Sequence, residues 1–226
     1  MLTQLHDFHG ERSVRNRFVN QGEGWWQTHH PTQAQCMSAQ GIDTSRIVAC
    51  QPIGAPDSFA PTGDAVTETA LWCGRPAWYK RFDLFLRACK LANVRPMLAG
   101  PCASNRESDM TPNAIRLPRQ VAPYPDSYPA IYSRAGCYVT CSTTELHPLP
   151  LFEALACGCP VVSTRTGFAE DLPCAALLDT DCTDRQLADA IVSVLVHPPE
   201  RVAVDVPRHS AWIAATWTAL RGVAER

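Results

Sequence analysis

From residue 46 onward the chain alternates short apolar runs with stretches whose apolar positions recur at helical spacing. Residues 46–49 (RIVA) read as a strand that ends in a Pro- and Gly-rich loop, CQPIGAPDSFAPTGD. Residues 69–73 (TALWC) form a second strand, closed by Gly74. In residues 81–92, Phe82, Phe85, Leu86 and Cys89 fall at i, i+3, i+4 and i+7, which predicts an amphipathic helix. A strand at 95–99 (RPMLA) runs into Gly100, and another at 137–141 (CYVTC) precedes a loop and a helix over 150–157. A strand at 160–163 (PVVS) and a helix at 185–196, with Leu187, Ile191, Val194 and Leu195 on its apolar side, complete the series. Strands separated by crossover helices predict an α/β fold with a Rossmann-like parallel sheet, in which ligands sit beyond the C-terminal ends of the strands.

The first 45 residues break this rhythm. Residues 32–40 read as one helix closed by Gly41, behind a Trp25–Trp26 stretch, while residues 1–24 are polar and show no period. Three segments are therefore expected: a partial N-terminal piece over 1–45, the main domain over 46–210, and a C-terminal helix over 211–226.

Composition narrows the class. A net charge of −2 gives no general footprint for nucleic acid or an anionic membrane surface. No apolar run reaches the length of a membrane-spanning helix, and the N-terminus lacks the apolar stretch of a secretory signal. Eleven cysteines are scattered, several inside apolar segments, and no Cys-x2-Cys pair occurs. An odd count without a signal points to a reducing, cytoplasmic compartment with cysteine serving as a small core residue. His6, His9, His29 and His30 have no ligand partner at metal-binding spacing, so no metal site is expected.

Chemistry concentrates in STTELHPLPLFEALACGCP, residues 142–160. Pro150 suits the first position of a helix and Gly158 the position past its end. The free N–H groups of such a helix, together with its dipole, make an anion site above the strand ends. Glu145 precedes the helix and Glu153 lies one turn inside it. A sugar nucleotide explains two carboxylates around an anion site, with diphosphate on the helix end and a hydroxylated ring on either side. A solvated loop residue at 145 and a dipole partner at 153 explain them too. Arg75 and Lys80, at the end of one strand and the start of the next helix, are placed to hold a diphosphate and to stabilise charge on a departing nucleotide. An ordinary exposed pair of cations has the same spacing.

The order of these blocks resembles family-4 (group 1) glycosyltransferases of the GT-B fold, mainly their C-terminal donor-binding domain. Leu71-Trp72-Cys73-Gly74-Arg75 followed by Lys80-Arg81-Phe82-Asp83-Leu84 is similar to their GR…KGFDL block. Glu145 to Glu153 is similar to their Glu-x7-Glu motif, and residues 153–162 to EAMACGxPVV. Residues 46–61 resemble the IPNGVDxxxFxP linker, and His209-Ser210-Ala211-Trp212 resembles the F-S-W before the last helix. Ile53 stands in place of the asparagine of PNG, and Pro148 in place of a glycine after the first glutamate.

The resemblance implies a retaining hexosyltransferase-like enzyme that takes a UDP- or GDP-sugar without a cofactor or metal. Arg75, Lys80 and Glu145 would be the catalytic residues. Gly74, Arg116, Leu117, Leu149, Pro150, Leu151 and Glu153 would complete the donor site, with Glu153 on the ribose, the amides near Leu149–Leu151 on the phosphates, and the Arg116 loop beside the base. A two-domain enzyme of this type needs roughly 150–200 residues for each half. Residues 25–41 thus read as the last strand and helix of an acceptor domain, and no N-terminal histidine receives a catalytic role. The acceptor, whether glycan, lipid, protein or nucleic acid, is left open. So is the source of an acceptor domain, through self-association or a partner chain. Two alternatives accompany the transferase: a non-catalytic sugar-nucleotide-binding subunit, and a GT-B relative such as a sugar-nucleotide epimerase or a phosphorylase. A nicotinamide dehydrogenase is disfavoured, since no Gly-x-Gly-x-x-Gly follows a strand.

Overall fold

The computed structural model describes residues 2–4, 25–28, 31–39, 41, 43–48, 52–104, 111–118, 120–145 and 147–225. The four N-terminal histidines lie outside them. The described part of the N-terminal region forms a small parallel sheet of β1 (Leu2–Gln4), β2 (Trp25–Gln27) and β3 (Ile47–Val48), with α1 (Pro31–Ala39) between β2 and β3. Here the sequence expectation needs correction. Ile47–Val48, expected to open the main sheet, pairs with Trp26 and Gln27 instead. A two-residue strand carries too little pattern to specify its sheet, and tertiary pairing decides it.

The main sheet begins with β4 (Thr69–Cys73) and continues through β5 (Arg95–Ala99), β6 (Ile115–Leu117), β7 (Cys137–Thr140), β8 (Val161–Thr164) and β9 (Ala176–Leu178). All six strands are parallel, in the spatial order β6-β5-β4-β7-β8-β9. Counted from β4, this is the Rossmann order 3-2-1-4-5-6, whose direction of winding reverses between β4 and β7. The α/β, Rossmann-like expectation holds.

Each central strand is buried on both faces, as covered parallel sheets require. Along β4, Ala70 and Trp72 point into one core while Leu71 and Cys73 point into the other. The first core is closed by α2 (Phe82–Ala92) and α5 (Asp184–Val196), which lie side by side. Trp72 packs there against Phe82 and Phe85, with ring centroids 5.3 Å away in both cases. The second core is closed by α3 (Tyr128–Arg134) and α4 (Leu149–Ala156), with Tyr132, Leu151 and Phe152 at its centre. The last helix, α6 (His209–Ala224), is anchored at its start: Ser210 donates to Asp57 through both N and Oγ, and Arg208 donates to the Phe59 carbonyl.

Element ends follow local chemistry. Helix α2 starts at Phe82 rather than 81, because Arg81 adopts a left-handed φ of 53°. The resembled block has glycine at this position. Arg81 holds the conformation by donating from its guanidinium to the Thr180 and Cys182 carbonyls. Helix α4 starts at Leu149, one residue before the expected Pro150, and Gly158 follows its end at a φ of 68°. Thr183 caps α5 in a reciprocal capping box with Gln186. Cys73, Cys89, Cys102, Cys137, Cys141, Cys157, Cys159 and Cys182 are buried free thiols, as expected of core residues, and Cys174 is a half-buried one. Burial pushes the Cys102 thiol up to about 12, and Cys174 up to about 11.

Candidate active site at the sheet switch point

The loops leaving β4 and β7 lie side by side at the point where the winding reverses. Gly74 turns the chain away from β4 at a φ of 121°, a conformation that disfavours any side chain. Its N–H donates to Ala99 and its carbonyl accepts from Cys102, so the turn is tied to the neighbouring strand end. Arg75 follows, exposed, with no ion pair among the described residues. The chain then makes a short 3-10 turn over Trp78–Lys80. Thr143, in the loop beyond β7, donates its backbone N–H to the Tyr79 carbonyl at 2.8 Å, which joins the two loops.

That junction brings Lys80 to Glu145. The Lys80 Nζ lies 2.6 Å from Glu145 Oε1, with side-chain exposures of 22% and 8%. Ser142 Oγ donates to the same oxygen at 3.0 Å. Two residues after Glu145, His147 stacks on Phe152 and meets Phe168 edge-on. Its Nε2 accepts the N–H groups of Ile53 and Gly54 at 3.1 and 3.4 Å, so its ring proton is on Nδ1. The linker loop around Gly54 is thereby fastened to the Glu145 loop. No metal-ligand or nucleophile spacing in the sequence singles out His147. Its position inside the Glu-x7-Glu block was the available signal.

Helix α4 points its N-terminus at the same region, but with fewer amides than expected. Pro150 has none, and that of Leu151 donates to the Pro148 carbonyl at 2.9 Å. Of the three residues named for the phosphates, Leu149 keeps an N–H outside such a bond among the described residues. Arg116 and Leu117 sit on the edge strand β6, away from the Lys80–Glu145 pair, with Arg116 donating to the Ala103 carbonyl at 3.5 Å.

Glu153 is the residue whose surroundings differ most from expectation. It is 3% exposed, and both carboxylate oxygens already have donors. Tyr124 OH donates to Oε1 at 2.9 Å and Tyr132 OH to Oε2 at 2.7 Å. Burial raises its pKa above the ordinary glutamate range, and the two phenol hydrogen bonds act in the opposite direction. Burial also raises both tyrosines, with the Glu153 charge adding to it, so each phenol stays protonated and donates. A cavity of about 440 Å³ elsewhere, beside the outer side of α2 and lined in part by Arg87, Lys90, Asn93 and Thr111, contains none of these residues. Among the described residues no cluster of His, Cys, Asp or Glu has the form of a metal site, and no helix is long and apolar enough to cross a membrane.

A six-stranded parallel sheet in this order, with the Lys80–Glu145 pair joining the loops at its switch point, defines a Rossmann-like domain of the kind found in GT-B glycosyltransferases. Residues 67–197 match the family model described as glycosyl transferases group 1, and the chain belongs to that family. Solved structures agree on the fold. HepE from Anabaena, in complex with UDP and glucose, superposes with a TM-score of 0.68 at 16% identity, over 99% of this chain and 70% of HepE. The pneumococcal O-GlcNAc transferase GtfA, in complex with UDP and GlcNAc, gives 0.65 at 17% identity, over 98% of this chain and 49% of GtfA. A chain of the GtfA/B complex gives 0.64 at 17% identity, over the whole of this chain and 53% of that one. A comparison with curated protein sequences finds no significant match.

Proposed function

We propose that this chain binds a nucleotide-diphosphate sugar and transfers the sugar with retention of configuration. The observation that carries the reading is the convergence of Lys80, Glu145 and the α4 N-terminus at the switch point, with Arg75 exposed on the adjoining loop. In this reading the diphosphate lies between Arg75, Lys80 and the start of α4. Fixed positive charge there stabilises the phosphate oxygen that becomes anionic as the bond to the sugar breaks. No metal is required for that role. Glu145 accepts from hydroxyls of the transferred sugar and Glu153 from the ribose. HepE and GtfA, both solved with UDP, support a uridine nucleotide over the alternatives.

Thermal unfolding against UDP-, GDP- and ADP-sugars tests donor binding, and proton NMR of the product reads the anomeric configuration. A stabilising shift with one nucleotide series and a product of unchanged anomeric form support the proposal, and EDTA should leave turnover unaltered. Inversion, or loss of turnover in EDTA, would overturn the mechanism. A second reading makes this chain a donor-binding subunit whose acceptor side comes from a partner, and the likeness to a chain of the GtfA/B complex favours it. Donor binding without transfer or hydrolysis by the purified chain would select it.

A further inference from the structure

Glu153 cannot receive a ribose as it stands. A carboxylate that is 3% exposed and hydrogen-bonded at both oxygens has no face open to a ligand. Its two partners differ in one decisive respect. Tyr132 is fully buried, among the second-core residues, and moving it would break the packing of the sheet on α3. Tyr124 is 41% exposed, on the loop between β6 and α3, and covers Glu153 from the solvent side. Its ring rests on Phe59 and edge-on against Tyr128, at 6.2 and 5.0 Å between centroids.

We infer that the Tyr124 hydroxyl occupies the place of a ribose hydroxyl on Glu153, and that a ribonucleotide binds by displacing it. This rests on the reading of Glu153 as the ribose partner. The exchange is balanced: the buried carboxylate loses one O–H donor and gains another, so it is never left unsatisfied, which would be costly. A ligand without ribose hydroxyls has nothing to offer in return. Tyr124 thereby sets the affinity for ribonucleotides: a ribose hydroxyl gains only the difference between its own bond to Glu153 and the one it displaces, whereas a ligand without that hydroxyl leaves Tyr124 in place.

The test uses the full chain with Tyr124→Phe, which keeps the ring contacts and removes the hydroxyl, and Tyr132→Phe as a control. Calorimetry is run with whichever of UDP, GDP or ADP binds the wild type, and with its 2′,3′-dideoxy analogue. Tyr124→Phe leaves one oxygen of Glu153 without a donor until ribose supplies it. It should tighten the ribonucleotide about tenfold and the dideoxy analogue by less than about threefold. Its melting temperature should fall without ligand, and the deficit should shrink at saturating ribonucleotide. Tyr132→Phe should lower the melting temperature by a similar amount with and without ligand and tighten neither. If Tyr124→Phe leaves the ribonucleotide unchanged or weaker, Tyr124 is structural and the inference fails. In that case Arg75→Ala still reports on the phosphate site, so the functional reading is judged separately. If no nucleoside diphosphate binds wild type or variant, both fail together.

Discussion

Lys80 and Glu145, separated by 65 positions in sequence, meet at 2.6 Å in a partly buried ion pair where each neutralises the other. A diphosphate would compete with Glu145 for the ammonium, and a sugar hydroxyl would compete with Lys80 for the carboxylate. The pair is therefore ready for exchange, since ligand binding replaces one set of charge-assisted contacts by another. Glu145→Gln removes the competitor of the diphosphate. Free nucleotide should bind that variant as tightly as wild type or several-fold tighter, while sugar transfer falls. Calorimetry with UDP and turnover with the UDP-sugar check the two halves. A loss of UDP affinity would place Glu145 on the nucleotide instead of the sugar.

Arg75 and Lys80 should separate from each other when each is replaced by alanine. Arg75 is exposed and has no ion pair among the described residues, so its loss should weaken nucleoside diphosphate about ten- to hundredfold without altering stability. Lys80→Ala should cost comparable affinity and stability as well, because Glu145 is left poorly exposed without its counter-charge. Neither change should affect binding of the nucleoside alone. Equal losses for nucleoside and diphosphate would show that the phosphates lie elsewhere.

Arg81 offers a test of backbone strain. It holds a φ of 53°, where an L-residue costs roughly 1–2 kcal/mol, and offsets that with two hydrogen bonds to the loop before α5. Arg81→Ala keeps the strain and loses the bonds, and should be destabilised by about 2 kcal/mol. Arg81→Gly loses the bonds and relieves the strain, and should fall between alanine and wild type. Urea unfolding of the three proteins measures the order. Glycine as the least stable of the three would refute it.

These residues also show where the sequence was readable. Strands β4, β5, β7 and β8 stood out because each is a mostly buried apolar run ended by glycine, proline or a turn. Strands β6 and β9 did not, as three residues at or near the sheet margin, only partly buried, give no periodicity. Helix α3 carries Tyr128, Ile131 and Tyr132 at helical spacing, but the Pro- and Tyr-rich turns before it obscured the pattern. Arg75, Lys80, Glu145 and Glu153 were legible as a motif, and the fold brings Lys80 and Glu145 together. The role of the tyrosines was not legible. Tyr124 and Tyr132 lie 29 and 21 positions from Glu153, and only the packing of α3 on α4 brings them to it.

Glu153 should also leave its mark on acid stability. Burial raises its folded pKa above the ordinary 4.5, despite the two phenol hydrogen bonds that pull the other way. As pH rises from about 4.5 to the folded value, the native state keeps a proton that the unfolded chain has released. Unfolded chains then bind fewer protons than native ones, so stability falls with rising pH across that window and is level above it. Other carboxylates act in the opposite sense: Asp57, for instance, is lowered by its bonds to Ser210. The comparison must therefore be with Glu153→Gln, in which every other group is retained. The stability of wild type minus that of the variant should decline from about pH 4.5 upward and then become constant. Tyr124→Phe, lacking one of the donors that favour the carboxylate, should extend the decline to higher pH. A saturating ribonucleotide, which supplies a donor in its place, should draw it back. Urea midpoints in steps of about half a pH unit would resolve the slope. A difference that rises with pH would mean that the tyrosines outweigh burial and that Glu153 is ionised at lower pH than an exposed glutamate.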